Sequence, residues 1–302
     1  MIKDLTIQIH ILGAAAGGGL PQWNCGCENC NLARNGAIPS LTQSSIAVSA
    51  DGENWSILNA SPDIRQQLSD SAALAPRSLR HTPINSVLLT NADLDHIAGL
   101  LCLREGQPFS LLATSGVHDI LKENPIFSVL REGVVSRKTI ELEQEFELCP
   151  GLKATLFAVP GKVPLFLERG EVNTELLGEQ TVGVVISANG KRAFYIPGCA
   201  TLPTDLLRRI DGAEVLFFDG TLWDDDEMIR AGLGQKTGRR MGHIPISGSE
   251  GSLQALAALN IGQRFYIHIN NSNPILRPDT PERATVEAAG WTIGIDGMQI
   301  AV

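Results

Sequence analysis

Three cysteines lie within six positions of one another and have the chemistry of a metal site. Thiolates are soft ligands that suit Zn²⁺ in tetrahedral geometry, so Cys25, Cys27 and Cys30 predict a structural zinc ion. We expect Gly26 to relieve crowding between the first two ligands, and a histidine or carboxylate from elsewhere to be the fourth. Two alternatives are three reduced, unliganded cysteines and a redox pair, Cys27 and Cys30. The third thiol is better explained by metal binding.

A second polar cluster follows a short apolar segment. Asn91, Asp93, Asp95 and His96 lie within six residues, where a predicted strand gives way to a predicted helix. Proteins with α/β folds place ligands at such strand ends. In an extended segment Asn91, Asp93 and Asp95 would point to one side. The alternative is an Asp or Asn helix cap with a solvated pair of charges.

Two further histidines could belong to either site. His243 follows Met241 and Gly242, and is either a structural imidazole or a ligand or proton carrier. His268 ends a predicted strand and is a core histidine, a ligand of the strand-end metal, or the fourth zinc ligand. Asp219 either supports a ligand by hydrogen bonding or fixes a turn. The acidic run at residues 224–227 is typical of a solvated helix start. The remaining histidines have no partners in the sequence and are predicted to be structural: His10, His81 and His118.

Composition limits the possible functions. The chain has 302 residues, 43% hydrophobic and 19% charged, with a net charge of −9. No basic stripe stands out, so nucleic acid is not an expected partner. No apolar run reaches the roughly 18 residues of a membrane span, and no export signal is visible, so we expect a soluble, cytoplasmic protein. The scattered cysteines are expected to be small buried hydrophobic residues: Cys102, Cys149 and Cys199.

The predicted elements must position these side chains. Two blocks of strands, each followed by helices, favour one α/β sandwich over two unrelated domains. The first block includes a hairpin at Asp51-Gly52, a helix from Ser61-Pro62-Asp63 through Leu68, and a helix from Ile97 to about Arg104. We also predict a helix at 252–259 and a last hairpin at 291–300 turning at 296–297.

The strand-end cluster resembles the H-x-H-x-D-H signature of metallo-β-lactamase-like proteins. Asp95 and His96 match it directly, whereas Asn91 and Asp93 stand at the two leading histidine positions. The cysteine cluster resembles the structural zinc knuckle of the phosphodiesterase branch. Longer blocks make the chain similar to the coenzyme PQQ synthesis protein B family. They are AAAGGGLPQWNC (14–25), TQSSI (42–46), NASPDIR (59–65), LREG (103–106), FDGT (218–221), MGH (241–243) and HINNSNP (268–274).

This resemblance implies a four-layer αββα sandwich, as a single metallo-β-lactamase-like domain over residues 1–302. It also implies a role in the biosynthesis of pyrroloquinoline quinone (PQQ), which derives from a glutamate and a tyrosine of a precursor peptide. One implied activity is iron- and O₂-dependent hydroxylation of the tyrosine ring. The alternative is a non-catalytic carrier that helps to move PQQ or its precursor toward the periplasm.

The residues favour one cleft metal over the two of a zinc hydrolase. The leading histidines are absent, residues 159–162 contain no histidine, and residues 195–198 lack the aspartate that usually bridges two metals in the superfamily. Asp95, His96 and His268, with Asp93 or His243, would leave a mixed nitrogen and oxygen site that suits Fe(II) and O₂. We therefore expect Asp95, His96, His243 and His268 to be catalytic. In the phosphodiesterase branch the fourth zinc ligand is a histidine at the position of Asn271, so that ligand stays open, as does the oligomeric state.

Overall fold

A computed structural model describes residues 6–302, which form two seven-stranded mixed sheets flanked by helices. The strands are β1 (Gln8–Gly13), β2 (Ser45–Ser49), β3 (Trp55–Leu58), β4 (Ile84–Leu88), β5 (Phe109–Ala113), β6 (Val135–Thr139), β7 (Glu145–Cys149), β8 (Leu152–Ala158), β9 (Val182–Ala188), β10 (Lys191–Ile196), β11 (Val215–Asp219), β12 (Gln263–Ile267), β13 (Trp291–Ile293) and β14 (Gln299–Ala301). The helices are α1 (Glu28–Arg34), α2 (Ile64–Asp70), α3 (Leu94–Ile97), α4 (Ser115–Glu123), α5 (Thr204–Ile210), α6 (Glu227–Arg230), α7 (Gly238–Met241), α8 (Ser252–Ala255) and α9 (Pro281–Ala288). This is the predicted αββα sandwich.

The two sheets share one plan. The first has the order β14-β1-β2-β3-β4-β5-β6 and the second β13-β12-β11-β10-β9-β8-β7. In each sheet four strands pair antiparallel, and the pairs from β3 to β6 and from β10 to β13 are parallel. Parallel strands end at the same edge of a sheet, so each half-sheet delivers several strand ends to one edge.

Alternating side chains of the first sheet are buried on both faces. In β3, Ile57 belongs to the cluster under the helices of this sheet, whereas Leu58 belongs to the cluster that includes the second sheet. Ala47 and Val48 of β2 divide in the same way. Burial on both faces is what a sheet covered by helices on one side and a second sheet on the other requires.

Threonine side chains cap the first turns of α4, α7 and α9. The Thr114 hydroxyl accepts a hydrogen bond from the Val117 amide at the start of α4, and Val117 and Leu121 are buried. The helix predicted from Ser61-Pro62-Asp63 through Leu68 is α2, which begins and ends two residues later than predicted, at Ile64 and Asp70. The Ser61 hydroxyl donates to the Gln67 side chain. The predicted helix at 97–104 is α3, which already includes Asp95 and His96, followed by a 3₁₀ helix over Ala98–Leu103. The helix predicted at 252–259 ends earlier, at Ala255.

The predicted last hairpin was wrong. β13 pairs parallel with β12 in the second sheet, whereas β14 pairs antiparallel with β1 in the first. The Asp296 carboxylate, between them, accepts hydrogen bonds from the Ala14 amide and from the amide and hydroxyl of Thr42. The turn therefore carries the chain from one sheet to the other. Among residues 6–302, no helix combines the length and the apolar character that a membrane crossing needs.

Candidate metal centres

Strand ends from both sheets bring the cleft residues together. Asp95 and His96 follow β4 of the first sheet, Asp219 is the last residue of β11, and His268 comes directly after β12. His243 lies in the loop after α7. Asn91, Asp93 and Asp95 line the same cavity, as expected, although the segment is not extended throughout, because Asp95 belongs to the first turn of α3.

Asp95, His96 and His268 form the first group that could hold a metal ion. Each offers one ligand atom, and these atoms all lie within 4.8 Å of one another. The His268 Nε2 lies 3.1 Å from the Asp95 Oδ2, and the rings of His96 and His268 stand edge to face with centroids 5.4 Å apart. Two imidazoles and one carboxylate converge here, as the sequence predicts.

His96 is oriented as a metal ligand. Its Nδ1 lies 2.6 Å from the Asn91 Oδ1, so this nitrogen is the donor and the Nε2 carries the lone pair. That Nε2 is buried and has no hydrogen-bond partner. Burial lowers the pKa of His96 to about 4, although the Asp95 carboxylate opposes this shift, so the ring is neutral at pH 7. A neutral imidazole held by a second hydrogen bond, with its other nitrogen unpaired, fits a metal ion.

His268 is fixed in the complementary way. Its Nδ1 lies 2.9 Å from the Thr221 Oγ1, which leaves its Nε2 toward Asp95. Burial lowers the pKa of His268, but the hydrogen bond to Asp95 outweighs it and the pKa is raised. Burial also raises the pKa of Asp95, and the charges and hydrogen bonds of the two histidines bring it well below its usual range.

Asp219, His243 and His268 form a second group that could hold a metal ion, and their ligand atoms also lie within 4.8 Å of one another. The Asp219 Oδ2 lies 2.7 Å from the His243 Nδ1, and the rings of His243 and His268 stack with centroids 5.1 Å apart. Asp219 is fully buried and also accepts from the Cys199 amide. The geometry matches both alternatives for Asp219, because its Oδ2 contacts His243 while its Oδ1 accepts from the Thr221 backbone amide at 3.0 Å and so fixes the turn.

Thr221 joins the two groups and is a residue that the sequence did not single out. Its hydroxyl donates to the Asp219 Oδ1 at 2.6 Å and lies within 3.1 Å of the Nδ1 atoms of both His243 and His268. The signal that could have identified it is a hydroxyl residue two positions after a strand-end aspartate.

Asp93 lies beside the cleft without joining either group. It accepts a hydrogen bond from the Asn91 amide at 3.0 Å. Burial and the neighbouring Asp95 charge raise the pKa of Asp93. Asp95, His96 and His268 converge without Asp93.

The clefts of both groups open into one cavity of about 610 Å³. Its walls include the Asp95, His96, His243 and His268 side chains, together with Lys162, Leu165, Glu168, Met228, Lys236 and Met241. A cavity of this size accommodates a small molecule beside the candidate ligands.

The three cysteines form a separate group. Their sulfur atoms lie within 4.8 Å of one another, and in the part of the chain that the structure describes no histidine or carboxylate joins them. The Asn271 Nδ2 lies 3.2 Å from the Sγ atoms of Cys25 and Cys30 and 3.6 Å from that of Cys27. His268 is engaged in the cleft, and the Asn271 side chain is the polar group that faces all three sulfur atoms.

Several smaller expectations were wrong. A Cβ added to Gly26 would meet no atom within 4 Å, so crowding does not explain this glycine. Cys102 is exposed, whereas Cys149 and Cys199 are buried. Glu227 is buried and accepts hydrogen bonds from the Trp223 amide and the Ser272 hydroxyl, so the acidic run is not solvated throughout.

The expected structural histidines lie outside both groups. His10 packs against Trp55 with ring centroids 4.6 Å apart, His81 accepts from the Arg77 amide, and the His118 Nε2 lies 3.0 Å from the Lys138 carbonyl oxygen.

Comparison with known proteins places this site in a family. Residues 54–269 match the family described as Beta-lactamase superfamily domain. Coenzyme PQQ synthesis protein B from Ruegeria pomeroyi is 59% identical over 296 residues, covering 98% of this chain and 100% of the relative. The protein of the same name from Rhizobium meliloti is 57% identical over 302 residues, covering 99% of each. The chain belongs to the coenzyme PQQ synthesis protein B family.

Solved structures agree with this membership. The 1.98 Å crystal structure of Zn²⁺-bound PqqB from Methylobacterium extorquens matches with a TM-score of 0.96 and 55% identity, covering 98% of this chain and 100% of that one. A diphosphatase from the PhnP family matches with a TM-score of 0.69 at 18% identity, covering 99% and 98%, which shows the shared fold alone. Compared with the H-x-H-x-D-H signature of the superfamily, this chain carries Asn91 and Asp93 at the two leading histidine positions.

Proposed function

We propose that the protein acts in PQQ biosynthesis by hydroxylating a tyrosine-derived precursor with Fe(II) and O₂. The observation that carries this proposal is the buried, unpaired Nε2 of His96, directed into the same space as Asp95 and His268. The role in PQQ biosynthesis comes from the names of relatives that match the whole chain at 57–59% identity.

Asp95, His96 and His268 would hold the iron. Two imidazoles and one carboxylate leave coordination positions open, which is the arrangement that non-haem Fe(II) oxygenases use. Iron bound there would supply the activation of O₂ next to the aromatic ring. Asn91 accepts a hydrogen bond from the Nδ1 of His96, and Thr221 accepts one from the Nδ1 of His268. These hydrogen bonds orient both imidazoles, so the ligand set is preorganised before the metal binds.

His243 is the proposed proton carrier of the reaction. The Asp219 carboxylate holds its Nδ1, so its other ring nitrogen is free to exchange a proton with a bound phenol. His243 lines the cavity and stacks on His268, which places it beside the substrate and the metal ligands. Its test is His243→Gln, which should lower the rate of turnover without removing iron.

The cysteine group would hold a structural zinc ion, as the zinc of the Methylobacterium extorquens relative suggests. Three thiolates with Asn271 against them leave little room for a substrate at the metal. The zinc would then fix the loop around Cys25 against the segment that also carries His268.

The reaction is tested with iron-loaded protein, a tyrosine-derived probe and ¹⁸O₂. One oxygen atom enters the aromatic C–H bond and the other leaves as water, so the assay needs two electrons from a reductant such as ascorbate. We expect a mass gain of one ¹⁸O in the product, lost in His96→Ala and retained in His118→Ala, whose ring lies outside both groups. No labelled product from fully iron-loaded protein, over a panel of tyrosine and glutamate–tyrosine probes, would count against the proposal.

The second candidate is a carrier that binds PQQ or its precursor without reaction. The cavity of about 610 Å³ and the lysines in its wall favour this alternative, because they suit an anionic small molecule whether or not it reacts. A carrier should bind its ligand as tightly after Asp95→Ala as before, whereas the hydroxylase should lose turnover.

A further inference from the structure

One carboxylate in the cavity wall is surrounded by three cations. The Glu168 Oε1 lies 3.1 Å from the Nζ of Lys162. The Glu168 Oε2 lies 3.1 Å from the Nζ of Lys236 and 3.0 Å from the Nη2 of Arg240. The side chains of Glu168 and Lys162 are only 10% and 11% exposed, whereas Lys236 and Arg240 are 38% and 35% exposed. The cluster is therefore anchored inside the wall and open at its outer side.

Glu168 offsets only one of the three positive charges. Burial would raise the pKa of Glu168, but the hydrogen bonds from Arg240 and Lys236 and the charge of Lys162 bring it down to about 2, so the carboxylate is ionised throughout the physiological range. The Nη1 atom of the Arg240 guanidinium is buried and has no hydrogen-bond partner. A buried guanidinium nitrogen without an acceptor marks a place where a further anion would be stabilised.

The cluster shares the cavity with the candidate iron ligands. Lys162, Glu168 and Lys236 line the same cavity as Asp95 and His268. A ligand in this cavity therefore meets metal ligands at one part of the wall and excess positive charge at another.

We propose that Lys162 and Lys236 of the cavity wall, together with Arg240 on the same Glu168 carboxylate, form a subsite for a carboxylate group of the substrate. This inference rests on the proposed function, since an intermediate derived from glutamate and tyrosine retains amino-acid carboxylates. Apolar side chains that line the same cavity suit its aromatic ring: Leu165, Met228 and Met241. The cations already hold the carboxylate of Glu168, which shows that their spacing suits that group. The subsite fixes one end of the substrate and so selects which aromatic acids enter.

The test uses two probes that differ only in charge, 3-(4-hydroxyphenyl)propanoate and its neutral amide. Their binding to the metal-loaded protein is measured anaerobically by calorimetry. We expect the wild type to prefer the carboxylate. Lys236→Met should weaken carboxylate binding about tenfold, the size of one partly exposed charge-assisted contact, and leave amide binding unchanged. Lys236→Arg keeps the charge and should retain the preference.

Lys153→Met is the matched control, because Lys153 pairs with Glu145 on an exposed surface away from the cavity. It should bind both probes as the wild type does. Equal loss of both probes in Lys236→Met, unchanged binding of the carboxylate, or a wild type that does not prefer the carboxylate would each overturn the subsite. If the preference holds while no ¹⁸O enters any probe, the hydroxylase proposal fails and the subsite stands.

Discussion

At the scale of single residues, Asn91 stands where the superfamily signature has a metal ligand, and here it orients one. Its Oδ1 accepts from the His96 Nδ1 at 2.6 Å, while its amide donates to Asp93. A position that loses its imidazole can therefore still serve the metal by holding the next histidine. The consequence is that Asn91 should affect metal affinity without being a ligand.

Replacing Asn91 tests this positioning role. Asn91→Ala removes the acceptor, so the His96 ring is free to turn and we expect cleft iron to bind about 10- to 100-fold more weakly. Asn91→Asp keeps an oxygen at that position and should retain most of the affinity. The measurement is competition with a chromogenic chelator, with zinc content followed in parallel. Unchanged iron affinity in Asn91→Ala would show that His96 is held by other contacts.

Asn271 is expected to complete the zinc site, because its amide group faces all three sulfur atoms. Amides are weaker zinc ligands than imidazoles. Asn271→Ala should weaken zinc binding by about tenfold, and Asn271→His should strengthen it, since a nitrogen ligand then joins three thiolates. Cobalt substitution reports the change in ligand set through the visible spectrum. Identical spectra and affinities in all three proteins would exclude Asn271 from the coordination sphere.

Residue spacing alone identified the ligands that are close in sequence. Cys25, Cys27 and Cys30 form one group, and Asp95 with His96 forms most of another, as predicted. Spacing did not connect Thr221 with the histidines or Asn271 with the thiols, because these partners lie 22 to 246 residues away in the chain. Position 271 came into view only through the resemblance to the phosphodiesterase branch. A hydroxyl or an amide gains its role only when the fold brings an imidazole or a thiolate against it.

At the scale of elements, local patterns gave good positions for strands and poor ones for connections. The apolar pattern of residues 109–113 predicts a strand and residues 204–210 predict a helix, and the structure has both with these bounds. The hairpin at Asp51-Gly52 is also present, since β2 and β3 pair antiparallel. The Asp296-Gly297 turn carries the same local signal but joins two different sheets. A turn signal reports a local bend and carries no information on the strand that pairs next.

The β2–β3 turn makes a pH-dependent prediction. Asp51 accepts hydrogen bonds from the Glu53 and Asn54 amides, the Asn54 side chain and the Ser49 hydroxyl. Burial would raise the pKa of Asp51, but these bonds lower it to about 2 from an ordinary 3.8. A lowered pKa means that the ionised form stabilises the fold above pH 3.8, and that this contribution disappears as the pH falls toward 2.

The measurement is urea unfolding of wild type and Asp51→Asn as a function of pH. We expect the variant to be less stable by about 1–2 kcal/mol at pH 6, and the difference to shrink toward pH 2. Glu53→Gln is the control, because Glu53 is an exposed acid on the same turn. A difference that stays constant with pH would assign the loss to packing rather than to the charge.

At the scale of the whole molecule, the cleft exists because two similar half-sheets bring their carboxyl ends together. The order of the predicted strands and helices favoured an α/β sandwich, and the resemblance to the superfamily added the four αββα layers. Asp95 and His96 come from the first sheet, and Asp219 and His268 from the second. No single stretch of sequence contains the site. The cleft ligands and the three cysteines are separate sites, and the segment from His268 to Asn271 reaches both. His268 contacts Asp95 in the cleft, and Asn271 contacts the cysteines.

The central claim is that one metal binds at Asp95, His96 and His268, independently of zinc at the cysteines. Elemental analysis of anaerobically purified, iron-reconstituted protein tests it most directly. We predict one zinc and one iron per wild-type chain, loss of zinc alone in Cys27→Ser, and loss of iron alone in His96→Ala. Two metal ions in the cleft, or iron that persists in His96→Ala, would contradict the claim.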